Sequence, residues 1–144
     1  MHKGFAESRS LLEKRGFGFD AEIIAVQGVS TTSRYAARIS GIYYQLPLFV
    51  GGRRCYQKLV FSERIYSIGF GCDSVYILWN ENSSWWQFSS QPIVEAPCIA
   101  YCKEDELDVT KVSQPWQVQT QGRGDFSEDV SLKILKSRTR VSIN

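Results

Sequence analysis

The chain has 144 residues, 43% hydrophobic and 22% charged, the balance of an ordinary globular domain large enough to build one core without metal or disulfide support. No stretch approaches the roughly 18–20 uninterrupted apolar residues of a membrane-spanning helix, so no such span is expected. The net charge of +2 conceals a gradient: residues 1–62 carry nine basic and four acidic side chains, residues 63–132 four and eleven, and residues 133–144 four and none. Two basic ends around an acidic middle predict oriented association with a charged partner or a second copy, and argue against the single basic stripe that nucleic-acid binding requires.

Residues 1–20 read as an amino-terminal arm. Phe5, Leu11 and Leu12 punctuate a charge-mixed stretch capable of two or three helical turns, which Gly16-Phe17-Gly18-Phe19 would end. Phe17 and Phe19 on that flexible backbone dock on this domain, dock on a partner or stay mobile; docking is the expectation, with the arm reaching onto a neighbouring chain. The stretch Met1 to Ser10 has no apolar h-region, and Glu7, Glu13 and Asp20 do not suit an acid-poor transit peptide; a cytoplasmic location is expected.

From Glu22 onward the signal becomes short β-type runs. Eight strands are predicted: Glu22–Val29, Gly41–Leu46, Arg54–Val60, Ser74–Trp79, Ser84–Phe88, Cys98–Cys102, Trp116–Gln119 and Ser131–Leu135. Between them stand Ser30-Thr31-Thr32-Ser33, Pro47, Gly51-Gly52, Gly69 and Gly71, Asn80-Glu81-Asn82-Ser83, Pro92, Pro97, Pro115, and Gly122 with Gly124, all turn formers. Strands this short and this closely spaced leave no room for parallel crossovers. The fold class is therefore all-β, or β-rich α+β: an antiparallel meander forming a small sandwich or curled sheet, with the short helical arm preceding it. The domain is expected to span 21–136, followed by a basic tail, 137–144, that carries Arg138 and Arg140. The clearest local feature is the hairpin Val75–Trp79 with Ser84–Phe88. Trp85 and Trp86 are adjacent on its second strand, so they must point to opposite faces, and one is expected to reach the surface.

These residues carry a resemblance. Gly41-x-Tyr43-x-x-x-Pro47, Gly51-Gly52-Arg53-x-Cys55-Tyr56, Val75-Tyr76-Ile77-x-Trp79, Trp85-Trp86 and Pro115-Trp116-x-Val118 together resemble an uncharacterised Tyr/Trp-rich β module recurrent in alveolate protist proteins. The likeness covers about residues 40–120. It departs at Gly51, where Asn is common, and at Arg54-Cys55, where Pro-Val is common. What it implies is a β-rich fold and a binding or scaffolding unit without enzymatic activity.

Chemistry is constrained by what is missing. The single histidine, His2, lies far from any strand, so Ser-His-Asp and Cys-His systems lack their base. No phosphate-cradling Gly-x-x-x-x-Gly-Lys-Ser/Thr occurs, and Gly16-x-Gly18 lacks the third glycine of a dinucleotide fingerprint. The carboxylates of Glu104-Asp105-Glu106 and Asp108 read as a solvated acidic loop, without the spacing of a calcium-binding loop. Arg123-Gly124-Asp125 and Asn82-Ser83-Ser84 read as turn chemistry. Cys55, Cys72, Cys98 and Cys102 could make two disulfides or a zinc site, but in a strand Cys98 and Cys102 would sit about 13 Å apart on one face. Free, buried thiols are expected, with no metal, cofactor or catalytic residue.

The best functional lead is aromatic: four Trp, seven Tyr and eight Phe. Most must be core, but an exposed ring on a sheet can anchor a protein hot spot or stack on a sugar. Arg53 and Arg54 could add charge-assisted contacts to a partner or pair with the acidic loop. The expected function is a non-catalytic protein-interaction or structural module, an accessory subunit of a larger assembly. Phe17, Phe19, Arg53, Arg54, Trp85, Trp86, Arg138 and Arg140 are its expected contacts with other protein subunits. The alternative is a carbohydrate-binding module using an exposed Trp.

Overall fold

Runs rich in β-branched and aromatic residues, punctuated every ten residues or so by turn formers, fold into strands that pair with their chain neighbours. The computed structural model describes residues 20–61, 66–68, 74–121, 124–137 and 141–142. Residues 1–19 of the expected arm, Phe17 and Phe19 among them, Cys72, the glycines at 69 and 71, and the tail arginines Arg138 and Arg140 lie outside the described residues. Among those described, the strands are β1 (Asp20–Ala21), β2 (Ile23–Gln27), β3 (Gly41–Val50), β4 (Arg53–Phe61), β5 (Tyr66–Ile68), β6 (Tyr76–Asn80), β7 (Trp85–Ser89), β8 (Cys98–Cys102), β9 (Trp116–Gln119), β10 (Phe126–Asp129), β11 (Lys133–Lys136) and β12 (Val141–Ser142). One helical turn, α1 (Ala36–Ile39), and one 3-10 turn, η1 (Val109–Lys111), interrupt them.

The sheet runs β10-β9-β8-β7-β6-β4-β3-β2-β11, antiparallel throughout, with β5 pairing β4 off this path and β1 pairing β12 separately. From β2 to β10 it is the expected meander. The last strand departs from it. β11 follows β10 in the chain after only Val130, Ser131 and Leu132, yet pairs with β2 at the opposite edge of the sheet. Three residues span at most about 14 Å, so the sheet curls until its two edges nearly meet. The result is a half-barrel with a seam between β10 and β11.

Alternation divides the side chains between two faces. The concave face gathers Ile24, Val26, Tyr43, Tyr56, Ile77, Trp79, Trp86, Phe88, Ala100, Cys102, Trp116 and Val118 into one cluster. Its rings meet edge to face, Tyr43 with Phe88, Phe88 with Trp116 and Trp79 with Trp86, so the interior is packed solid. On the other face Ile23, Ala25, Tyr44, Cys55, Leu59 and Leu78 are buried too. Towards one end of the half-barrel α1 inserts Ile39, whose carbonyl accepts from the Tyr43 hydroxyl at 2.7 Å, while the Lys58 ammonium donates to the carbonyls of Ala37 and Arg38.

Three local expectations need correction. Pro47 does not end a strand: β3 continues through it to Val50, because the ladder to β4 shifts register between Gln45 and Phe49, where a missing N–H is tolerated. The strand Phe126–Asp129 was not anticipated, since Phe126-Ser127-Glu128-Asp129 has neither a β-branched residue nor an apolar alternation. The last strand begins at Lys133 rather than Ser131 because the Asp129 carboxylate takes the backbone N–H of Ser131 at 3.0 Å and of Leu132 at 3.1 Å, making that link a turn.

Asp129 is the seam's polar staple. Its other oxygen accepts the N–H of Ser30 at 2.8 Å, joining the β10–β11 link to the turn after β2. Burial alone would push this carboxyl up, but the donors from Ser30, Ser131 and Leu132 outweigh it and hold the group below its ordinary 3.8. The stabilisation it supplies is complete above the unfolded-state value and is lost as pH falls through the lower folded-state one. Asp129→Asn sets an amide N–H against a backbone donor, so urea unfolding at pH 7 should show a loss of about 1–3 kcal/mol. The gap from the parent should narrow below about pH 4.

Gly28 lies beside this staple with φ at +76°, and a Cβ there would meet the Ser131 carbonyl oxygen at 2.2 Å. Gly28→Ala combines left-handed backbone strain with a backbone clash, and should lower stability by about 2 kcal/mol or more in the same assay.

Candidate functional site

At the end of the half-barrel away from α1, the buried carboxylate of Glu22, between β1 and β2, organises a polar cluster. The Tyr56 hydroxyl of β4 donates to one oxygen. Arg54 of β4 reaches the other at 3.3 Å, and Lys136 of β11 reaches that same oxygen at 3.1 Å. Lys136 also meets Asp108 at 3.3 Å, tying the edge strand to the loop that leads into η1. The cluster draws on residues 22, 54, 56, 108 and 136, brought together only by the curl of the sheet.

Each protonation state follows from these contacts. Burial, and then the neighbouring Glu22 carboxylate, push the Tyr56 hydroxyl well above its ordinary value, so it remains a donor. The Glu22 and Asp108 carboxylates hold the Lys136 ammonium above its usual range. Burial would raise the Asp108 carboxyl, but donation from the Thr110 hydroxyl and N–H, and then from Lys136, brings it below the ordinary value.

The rim of this mouth is held rigidly. Arg53 donates to the Glu106 carbonyl at 3.0 Å, pairs with Asp105, and lays its guanidinium 3.6 Å from the centre of the Trp79 ring. Trp86 donates its ring N–H to the same Glu106 carbonyl at 2.7 Å. Glu106 is thus fixed on one side, and on the other Asp108 caps η1 by accepting from the Thr110 N–H at 3.0 Å. Leu107, pinned between them, is left 72% exposed. Across the mouth, β3 and β4 turn through Gly51 and Gly52, both at positive φ, the two-residue geometry whose twist suits a hairpin. The strand leading into that turn presents Phe49, 68% exposed. Phe49, Leu107, Arg53, Arg54, Asp108 and Lys136 line one cavity of about 400 Å³.

The expected contact residues separate here. Arg53 does pair with the acidic loop; its side chain is only 13% exposed and it serves as a clamp. Arg54 does not pair with that loop: it makes one hydrogen bond among the described residues, to Glu22, and its side chain is 39% exposed. Trp86 is wholly buried in the core and offers no surface. Trp85 takes the opposite face, half-buried, with its ring stacked 4.2 Å from Tyr101 at an interplanar angle of 11° and its N–H donated to Gln87 at 2.8 Å. Phe126 lies against Tyr101 in turn, at 5.0 Å. Tyr101 thus covers one face of the Trp85 ring, and the Lys103 ammonium stands 5.6 Å from its centre.

Glu22, Phe49, Leu107 and Lys136 went unmarked in the sequence. Glu22 carried the one available signal, a lone carboxylate opening an otherwise apolar run, which demands a partner when buried.

The thiols of Cys55, Cys98 and Cys102 are free, and burial pushes each up to about 12, so all three are protonated at neutral pH. Cys98–Cys102 is the expected strand. Among the described residues no three or more His, Cys, Asp or Glu side chains converge as a metal site would require, and no helix is long and apolar enough to cross a membrane. A larger cleft of about 490 Å³ lies along the seam, where Asp129 already spends its acceptors on the backbone. No family model matches the chain, and neither a curated protein nor a solved structure is significantly similar to it.

Removing the hydroxyl from Tyr56 takes one donor from a buried carboxylate while leaving the ring packed. Tyr56→Phe should lower stability by about 1–3 kcal/mol, and the double variant with Glu22→Gln should lose less than the sum of the two single changes. Chemical denaturation of the four proteins measures that coupling.

Proposed function

We propose that the chain is a non-catalytic protein-interaction module whose contact surface is the rim of the half-barrel mouth. The observation that carries this reading is that Phe49 and Leu107, 68% and 72% exposed, both line one cleft that also holds cationic groups. Large apolar side chains held out on a rigid frame lose little entropy on binding, which is what makes a small number of residues dominate an interface. The interior supports the same reading, since among the described residues the large rings of Tyr43, Trp86, Phe88 and Trp116 occupy it. The likeness to the alveolate β module, itself proposed here, points to the same class. An accessory role in a larger assembly and a cytoplasmic setting belong to this proposal.

The carbohydrate reading finds less support. Its best residue, Trp85, has one ring face against Tyr101 and its ring N–H engaged.

Phe49→Asp and Leu107→Asp each place a charge where the apolar contact would form. Both sites are exposed, so unfolding free energies should stay within about 0.5 kcal/mol of the parent. Affinity capture from a native extract, compared by quantitative mass spectrometry, should show a partner retained by the parent and depleted at least about tenfold with either variant. A partner held equally by all three proteins, or saturable binding to an immobilised glycan, overturns the proposal.

A further inference from the structure

Resting on that reading, we infer that the mouth is a receptor for an acidic side chain of a partner peptide, with Arg54 receiving the carboxylate while Phe49 and Leu107 take the apolar residues beside it.

Charge and hydrogen-bond accounting lead to this site. Arg53, Arg54 and Lys136 line the cavity together with Asp108, and the Glu22 carboxylate stands behind the lining against Arg54 and Lys136. Arg53 spends one donor on Asp105 and one on the Glu106 carbonyl, and its guanidinium face lies on the Trp79 ring. Lys136 is divided between Glu22 and Asp108. Arg54 differs: a guanidinium has five N–H donors in a planar fork, and among the described residues it spends one, through Nη1 to Glu22 at 3.3 Å. That bond leaves Nε and Nη2 free, the pair whose spacing matches the two oxygens of a carboxylate. Glu22 orients the fork without exhausting it, a preorganisation that removes much of the entropy cost of a two-point contact.

The size and rim restrict the occupant. A cavity of about 400 Å³ lies low in the roughly 300–1,000 Å³ range of ligand clefts, enough for a few side chains. Phe49 and Leu107 at its margins favour an acidic residue with apolar neighbours over a heavily charged tract, whose further charges would face Asp108 and Asp105.

The test uses the full chain, uniformly labelled with 15N, and three acetylated peptides: amidated Leu-Glu-Leu, amidated Leu-Gln-Leu, and Leu-Gln-Leu with a free carboxyl end. The expected result is saturable amide shifts at residues 49–56, 105–109 and 136 with the first peptide, and at least about tenfold weaker binding of the second. Arg54→Gln should weaken the first peptide at least about tenfold while leaving the second unchanged. Should Arg54→Gln fail to fold, Phe49→Ser, which removes no donor or acceptor from the carboxylate cluster, should weaken the first peptide several-fold. Absence of saturable shifts, equal affinity for the first two peptides, or preference for the free carboxyl end overturns the inference. So do shifts at these residues that depend on protein concentration alone and vanish in Arg54→Gln, which would assign the mouth to a second copy. Native capture that fails with Phe49→Asp but survives Arg54→Gln overturns this inference and leaves the interaction reading standing. Saturable, Arg54-dependent peptide binding by a chain whose Phe49 and Leu107 variants still capture their partner supports the receptor and overturns the wider reading.

Discussion

A sheet that curls until its first and last strands face each other has a seam that backbone ladders do not close, and here charged side chains hold it from two directions. Asp129 draws the link between β10 and β11 onto the turn after β2, using both carboxylate oxygens on backbone N–H groups. Lys136, on β11 itself, reaches inward to Glu22 and across to Asp108 in the loop before η1. Without these contacts β11 would rest on four residue pairs with β2 alone, short pairing for an edge strand. Closure brings the η1 loop into the cluster, because Lys136 on β11 bridges Asp108 to the Glu22 carboxylate that Arg54 and Tyr56 of β4 already engage.

The same closure explains the division of labour between two adjacent arginines. Successive side chains on a strand leave the backbone in opposite directions, yet just after the Gly51-Gly52 turn Arg53 and Arg54 both line the mouth, where they take different partners. Arg53 turns to the Trp79 ring and the carbonyl of Glu106, where its charge is consumed in pinning a loop. Arg54 turns to the buried Glu22 carboxylate, which fixes one arm of its guanidinium while the side chain stays 39% exposed. A buried ion pair adds little net stability once desolvation is counted. Its consequence at this site is geometric: it sets the direction in which the remaining donors point.

How far the sequence showed all this depends on the range of the determinants. All eight expected strands are present, and the hairpin through Asn80 to Ser83 lies where local turn chemistry put it, with the Asn80 side chain accepting from the N–H groups of Asn82 and Ser83. Adjacency alone sent Trp85 and Trp86 to opposite faces. What stayed hidden was non-local. Pro47 carries a turn signal that a register shift in the neighbouring strand overrides. Phe126–Asp129 pairs because β9 offers it an edge, and its own residues announce no strand. Leu107, in an acidic run, looks like one more loop residue until its neighbours Glu106 and Asp108 are seen to be anchored.

The packed interior bears on function as directly as the rim does. A barrel that binds small molecules inside its sheet needs small side chains or a gap along the axis, whereas this one fills the axis with Tyr43, Phe88, Trp86 and Trp116. Those rings make the scaffold stiff, and stiffness is what allows a surface of few residues to be selective. Phe49 is carried by a hairpin whose two-residue turn permits little variation, and Leu107 by a loop fastened at both adjacent residues, so the spacing between them is set by the core. In the proposed receptor role a partner must match that spacing and bring an acceptor to the guanidinium; apolar matter alone would leave the Arg54 donors that Glu22 does not engage desolvated and unpaired, at a cost of about 1–3 kcal/mol. Selectivity at the mouth then comes from the penalty on the wrong occupant as much as from attraction to the right one.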